Sequence, residues 1–252
     1  MKQRNNLLLA AVLLFLSTTA WSQRRGAQDS DIETYNALSS IGVTTNTNSG
    51  ILGGVVLRSS KSLPGTLFGK QQFRYLALEL VNVKHPKEIS SQNFVTGSRF
   101  TYGKQNYLFV IRPEYGREIM FFNRHADEGI SISGILAAGP SLGLEKPYVI
   151  QFQQRPGVIV SEPYDPVKHA QTELIIGAGS FFQGFDKTKI VPGLHVKTAL
   201  SFELSAFRDN MTGLEIGFIA EAFSRKIVIM PFADNRSFFT SGYVTLYFGN
   251  KK

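Results

Sequence analysis

From about residue 50 the chain repeats one theme: runs of about ten residues with apolar side chains at every second position, each closed by a break rich in Gly, Pro, Asn or Asp. Leu194–Phe207 shows it best. Leu194, Val196, Thr198, Leu200, Phe202, Leu204 and Ala206 fall on one face, and His195, Lys197, Ala199, Ser201, Glu203 and Ser205 on the other. A period of two puts these sets on opposite faces of a strand. The same reading assigns strands to Gly50–Ser59, Phe73–Val83, Tyr107–Phe121, Gly129–Leu142, Thr172–Phe182, Thr212–Phe223 and Phe238–Gly249. The expected total is therefore eight strands.

Their length carries information. A tilted strand needs about 9 to 11 residues to cross a bilayer, whereas globular strands average about five or six. The second face carries Arg58, Glu79, Arg112, Glu114, Glu173, Lys197, Glu203, Glu215 and Glu221 among Gly and Ala. A water-soluble barrel would put such charges outside. A face this continuously apolar points instead to lipid, with the charges paired in a lumen network. The predicted fold is all-β: an eight-stranded antiparallel up-and-down transmembrane β-barrel, closed so that no backbone edge is left in hydrocarbon. The competing fold, a soluble lipocalin-like barrel or β-sandwich, is disfavoured by aromatic residues gathered towards strand ends. These include Tyr35, Phe73, Tyr75, Tyr115, Phe121, Tyr243, Tyr247 and Phe248, which are expected at headgroup level. Eight strands enclose a space that side chains just fill, so a general diffusion pore is not expected.

Composition agrees. The 252 residues include no cysteine, 23 glycines and 20 phenylalanines, only 18% are charged, and mean hydropathy is −0.04. This argues against disorder, disulfide scaffolds and thiolate metal sites. The longest apolar run, Leu7–Leu16, is too short for a spanning helix. With Lys2 and Arg4 before it and Ala20 and Ser22 after it, it reads as a secretory signal peptide over residues 1–22. Export implies a bacterial envelope protein in the outer membrane, and the lack of cysteine leaves no site for a lipoprotein anchor. Residues 23–46 are expected to be a flexible periplasmic leader and residues 47–252 the barrel domain. Loss of Lys2 and Arg4 reduces the formal charge from +8 to +6.

A leader in the periplasm would place 60–72, 123–128, 183–193 and 224–237 outside, and 84–106, 143–171 and 208–211 inside. The two long inner connections are then expected to bind a periplasmic or outer-membrane protein partner. The other expected partners are outer-membrane lipid, lipopolysaccharide and the outer-membrane assembly machinery, with no nucleic acid. The last strand carries an assembly signal, Gly242 followed by alternating bulky residues through Leu246 to Phe248.

For chemistry, acyl transfer would need a serine within hydrogen-bond reach of a histidine. His195 is the one candidate base within a well-defined strand. Ser201 lies about 20 Å further along that strand at about 3.4 Å per residue, so a serine from another strand, such as Ser133 or Ser180, would be needed. His85 and His169 lie in proline-containing loops. No spacing signals a metal site or cofactor.

Tyr102-Gly103-Lys104-Gln105-Asn106-Tyr107, Arg112-Pro113-Glu114-Tyr115-Gly116-Arg117 and Gly139-Pro140-Ser141-Leu142-Gly143-Leu144-Glu145-Lys146-Pro147-Tyr148 resemble stretches of small outer-membrane β-barrel proteins of Bacteroidetes-type bacteria. The resemblance implies fold and location, and hardly constrains function. The expected role is a non-catalytic structural or accessory subunit of an envelope complex. The alternatives are a lipid-modifying barrel enzyme of deacylase or acyltransferase type, and ligand transport or adhesion through outer loops.

Overall fold

Strands form where small or polar side chains alternate with apolar ones. Between the second and third strands the chain reverses at Phe68 (φ 53°) and Gly69 (φ 72°). Two successive left-handed residues make the tight hairpin turn whose twist suits antiparallel strands. Phe68 adopts this region although bulky residues avoid it.

The structure is a computed structural model that describes residues 36–123, 130–204 and 210–251. The expected signal peptide and Tyr35 lie outside the described residues. Eight long strands close into one barrel: β1 (Ala37–Asn46), β2 (Gly50–Leu67), β3 (Lys70–Val83), β6 (Asn106–Phe122), β7 (Ser131–Pro147), β11 (Lys189–Glu203), β12 (Asn210–Phe223) and β13 (Phe238–Lys251). Neighbours in the chain are antiparallel neighbours in the ring, and β1 closes it against β13 from Leu38 opposite Lys251 to Asn46 opposite Tyr243. This is an eight-stranded up-and-down transmembrane β-barrel. Most of its strands run 14 to 18 residues, well beyond globular length.

The count of eight conceals two corrections. Residues 37–46, expected in the leader, form β1. Thr172–Phe182, expected in the barrel, holds instead a short 3₁₀ turn at Thr172–Leu174 and a four-residue strand β10 (Ile175–Ala178) outside the barrel. Omitting β1 inverts the sidedness of every later connection until the extra strand inverts it back. In the structure, connections 84–105, 148–188 and 224–237 leave the same end of the barrel. Residues 68–69 lie at the opposite end, with the end of β6, the start of β7, the end of β11, the start of β12, the start of β1 and the end of β13. The expected placement of 84–106 and 143–171 opposite to 224–237 is thereby corrected.

The long connections fold into a layer of their own. β8 (Val149–Arg155) pairs with β9 (Val158–Pro163) and β10, and β4 (Ser90–Gln92) pairs with β5 (Arg99–Thr101). Asn93 Nδ2 and Thr96 Oγ1 donate to the carbonyls of Ile175 and Ile176 at 2.8 and 2.9 Å, joining the two loops. Phe100, Tyr148, Ile150, Phe152, Tyr164 and Ile175 form the core of this layer. The strand-like pieces seen in sequence on either side of Pro156-Gly157 are β8 and β9.

Candidate functional site: the charged lumen

Alternation decides what enters the lumen. On β11, His195, Lys197, Ser201 and Glu203 are buried, while Leu194, Val196 and Leu200 are 45–69% exposed on the outer wall. Small residues make the interior room. An added Cβ at Gly213 would strike the Tyr247 ring, and one at Gly217 would come within 2.8 Å of the Tyr243 ring. These two glycines of β12 let the β13 tyrosines lie across the lumen.

The structure places Arg58, Glu79, Arg112, Glu114, Lys197, Glu203, Glu215 and Glu221 in the interior, none more than 5% exposed. Arg112 of β6 reaches β12, where its Nε and Nη2 donate to the two Glu221 oxygens at 2.8 Å each, and its Nη1 donates to Glu79 at 3.1 Å. A two-pronged guanidinium–carboxylate pair is among the strongest hydrogen-bonded ion pairs. Lys197 lies between Glu114 (3.2 Å) and Glu215 (3.1 Å). Arg58 pairs with Glu118 at 2.5 Å and with Glu215 at 3.4 Å, and its guanidinium centre lies 5.3 and 5.2 Å from the Tyr75 and Tyr247 rings. Glu203 pairs with Lys251 at the short-turn end. Glu173 is exposed in the loop layer, away from this network.

Around Arg58, Arg112 and Lys197 stand five glutamates, an acid excess that hydroxyl donors offset. Tyr75 donates to Glu114 (3.2 Å), Tyr243 to Glu215 (2.5 Å), and Ser60 and Ser133 to Glu118 (2.6 and 2.7 Å). Sequence reading did not single out Glu118, although Glu118 shares face parity with Arg112 and Glu114 and could have been found that way. It also put Phe73, Tyr75, Tyr243 and Tyr247 at headgroup level. The structure turns all four inward, because they share parity with the charged residues rather than with the apolar ones. Tyr115, Phe121 and Phe248 do face outward and are exposed.

The network is closed at both ends. Leu38, Phe73, Met120, Met211 and Tyr247 pack together near the short turns. At the other end Val81, Val83, Leu108, Val110, Val191 and Phe223 pack against Ile227 and Ile229, which fold in from connection 224–237.

His195 lies opposite Gly139 and Glu221 on the neighbouring strands, and the missing Cβ of Gly139 leaves room for its ring. The serine within reach is Ser141, absent from the sequence candidates, at 3.0 Å from His195 Nδ1; Ser133 binds Glu118 instead. Ser141 has a single proton, and Glu221 accepts it at 2.5 Å. The serine then accepts from Nδ1–H, while Nε2 has no hydrogen-bond partner among the described residues and faces the Glu114 carboxylate at 3.9 Å. A nucleophilic serine must donate to its base. Here the polarity is reversed. In the loop layer His169 contacts Glu162 at 3.1 Å and accepts from the Asp165 amide at 2.9 Å. Among the described residues no acid and histidine cluster could hold a metal. Gly242, Leu246 and Phe248 lie on the outward face of β13, which continues to Lys251.

Fold and lumen together define a small transmembrane β-barrel with an ion-paired interior. No protein-family profile matches the chain, and no curated protein matches its sequence. Among solved structures it is similar to Ail, the attachment invasion locus protein of Yersinia pestis, with 10% identity, coverage of 86% of this chain and 99% of that one, and a TM-score of 0.37. It is also similar to Neisserial surface protein A, with 10% identity, coverage of 89% and 100%, and a TM-score of 0.36.

Proposed function

We propose that the chain is an integral outer-membrane protein whose barrel is a sealed, non-catalytic anchor and whose folded loop layer binds a protein partner in the envelope. The observation that carries this is the pair of apolar layers that close the lumen over buried ion pairs. A lumen so filled offers no path for solute, which leaves the ends as the working surfaces. Barrels of this size keep short turns in the periplasm and long loops outside. The loop layer, with connections 84–105 and 148–188, is therefore the outer face, and both ends of the barrel strand sequence are periplasmic. The sequence-based export signal and the β13 pattern for the assembly machinery fit the same location.

The loop layer has the build of a platform. Its core holds it in one shape, while Ile89, Phe94 and Val95 stand 73–104% exposed at the β4–β5 hairpin. Exposed apolar residues held on a fixed hairpin are what a protein partner would cover. Lipopolysaccharide phosphates at the outer rim are a further expected contact, through Lys187 and Lys189.

The test has two arms. Extracted protein should show heat-modifiable gel mobility; a product fully soluble in water overturns the membrane reading. A photo-crosslinking residue at position 94 or 95 should capture one discrete envelope protein, and crosslinks to lipid alone overturn the platform. One observation favours a lipid-modifying enzyme, the Ser141–His195 contact at 3.0 Å. Its burial beneath the upper apolar layer and its reversed proton direction make it part of the lumen network.

A further inference from the structure

The outer wall of the barrel is uneven. On β11 every second residue from Ile190 to Phe202 faces outward, and all seven are Ile, Pro, Leu, Val, Thr, Leu or Phe. On β3 only Leu76, Leu78 and Leu80 make an apolar stretch, bounded by Arg74 on one side and Asn82 on the other. Among the described residues, the exposed ionised side chains at outward positions of the barrel strands are all cations and all on β2, β3 and β6: Lys61, Lys70, Arg74 and Arg117.

Three of the four form one row. Lys61 lies opposite Arg74, and Arg74 lies opposite Arg117. The row ends at Ala37 on β1 and Leu136 on β7. Strands stand about 4.8 Å apart, so three like charges lie within about 10 Å on one face. Like charges directly opposite one another repel, and cations on a lipid-facing wall are unfavourable away from the interface. No salt bridge to any described residue relieves the row. The row directly above it on the apolar side is Ser59, Leu76 and Tyr115, which adds two outward hydroxyl groups beside the cations. Counted from the short-turn end, Arg74 and Arg117 are each the third outward residue of their strand. That is about 10 Å from the barrel end for tilted strands, within reach of the headgroup region for a side chain that extends along the wall with its charged tip turned to the polar layer.

We propose that Lys61, Arg74 and Arg117 form a site for the phosphate of an anionic phospholipid in the periplasmic leaflet. The site rests on the membrane-anchor reading and on its sidedness. The two guanidinium forks match phosphate oxygens in pairs, Lys61 adds a third cation, and Ser59 and Tyr115 can donate to the same headgroup. The bound lipid supplies the counter-charge that the protein wall lacks. It also lets the bilayer narrow on the β2–β3–β6 side, where the apolar stretch is short, while the β11 side spans its full thickness.

The experiment is native mass spectrometry of the purified full chain in detergent with equal amounts of phosphatidylglycerol, phosphatidylethanolamine and lipid A. Wild type should retain phosphatidylglycerol about tenfold over phosphatidylethanolamine, the scale expected of a few cations at an anionic surface. Arg74→Gln/Arg117→Gln should bring the two phospholipids to parity, and Lys70→Gln should not. Equal retention by wild type and the double variant overturns the site. A wild-type preference for lipid A over phosphatidylglycerol overturns the leaflet assignment. Heat-modifiable mobility, recorded in parallel, separates these results from failure of the membrane reading. If the double variant does not fold, Lys61→Gln alone must still lower the phosphatidylglycerol preference, and no change there overturns the site.

Discussion

Arg112 holds Glu221 across the lumen by two hydrogen bonds of 2.8 Å. The pair joins β6 to β12, strands that are not neighbours in the ring, and so braces the barrel through its middle. Removing one member of a buried pair costs more than removing both, because the survivor keeps its desolvated charge. Arg112→Leu should lower stability by about 3–5 kcal/mol, read from urea unfolding in detergent. Adding Glu221→Gln to that variant should restore part of the loss. A loss under about 1 kcal/mol, the scale of an exposed pair, would show that the lumen is wet.

Ser141 and His195 are expected to do no chemistry. Lipid A isolated from cells carrying Ser141→Ala or His195→Ala should match wild type by mass. A change in acyl number in either variant would revive the enzyme reading.

At Gly217 an added methyl group would meet the Thr198 carbonyl, the Ala199 side chain and the Tyr243 ring. Gly217→Ala should cost about 1–3 kcal/mol through overpacking, measured by the same unfolding assay. The second variant Gly217→Ala/Tyr243→Phe should not recover it, since phenylalanine keeps the ring and the backbone and Ala199 contacts remain.

The loop layer should respond to acid before the barrel does. A hydrogen bond from Lys168, and then one from His169, holds the Glu162 carboxyl below its ordinary value. A carboxylate with a depressed folded pKa contributes stability above its unfolded value, and that contribution fades as pH falls through the folded value. Amide protection in β8 and β9, corrected for the intrinsic pH dependence of exchange, should therefore fall below about pH 4, and Glu162→Gln should flatten the dependence. Protection that is level from pH 7 to pH 3 in the wild type would contradict this.

The barrel was legible because period two is strong where lipid demands it, as in Leu194–Phe202. β1 was not, because its outward residues include Ser39 and Thr45 beside Ile41 and Val43, too few apolar positions to show a period. Thr172–Phe182 misled for the opposite reason. Leu174, Ile175 and Ile176 are consecutive apolar residues, of which Leu174 and Ile175 serve the core of the loop layer, and the strand stops at Ala178, before Gly179. The lumen charges were legible by parity alone. Their partners were not, since Arg112 finds Glu221 109 residues away, and period says nothing of which strands face each other. The aromatic residues misled because the ring type suggested the interface while parity, the stronger rule, placed Phe73 and Tyr75 inside.

The ladder between β1 and β13 joins residues 197 to 213 positions apart, from Asn46 opposite Tyr243 to Leu38 opposite Lys251. Every other barrel ladder joins chain neighbours. Closure entropy falls on this one seam, and until it forms both margins carry unpaired backbone that hydrocarbon does not tolerate. Assembly is thereby made all-or-nothing in time as well as in energy: seven strands are a sheet with two open margins, and the arrival of the eighth is the event that makes the chain a membrane protein.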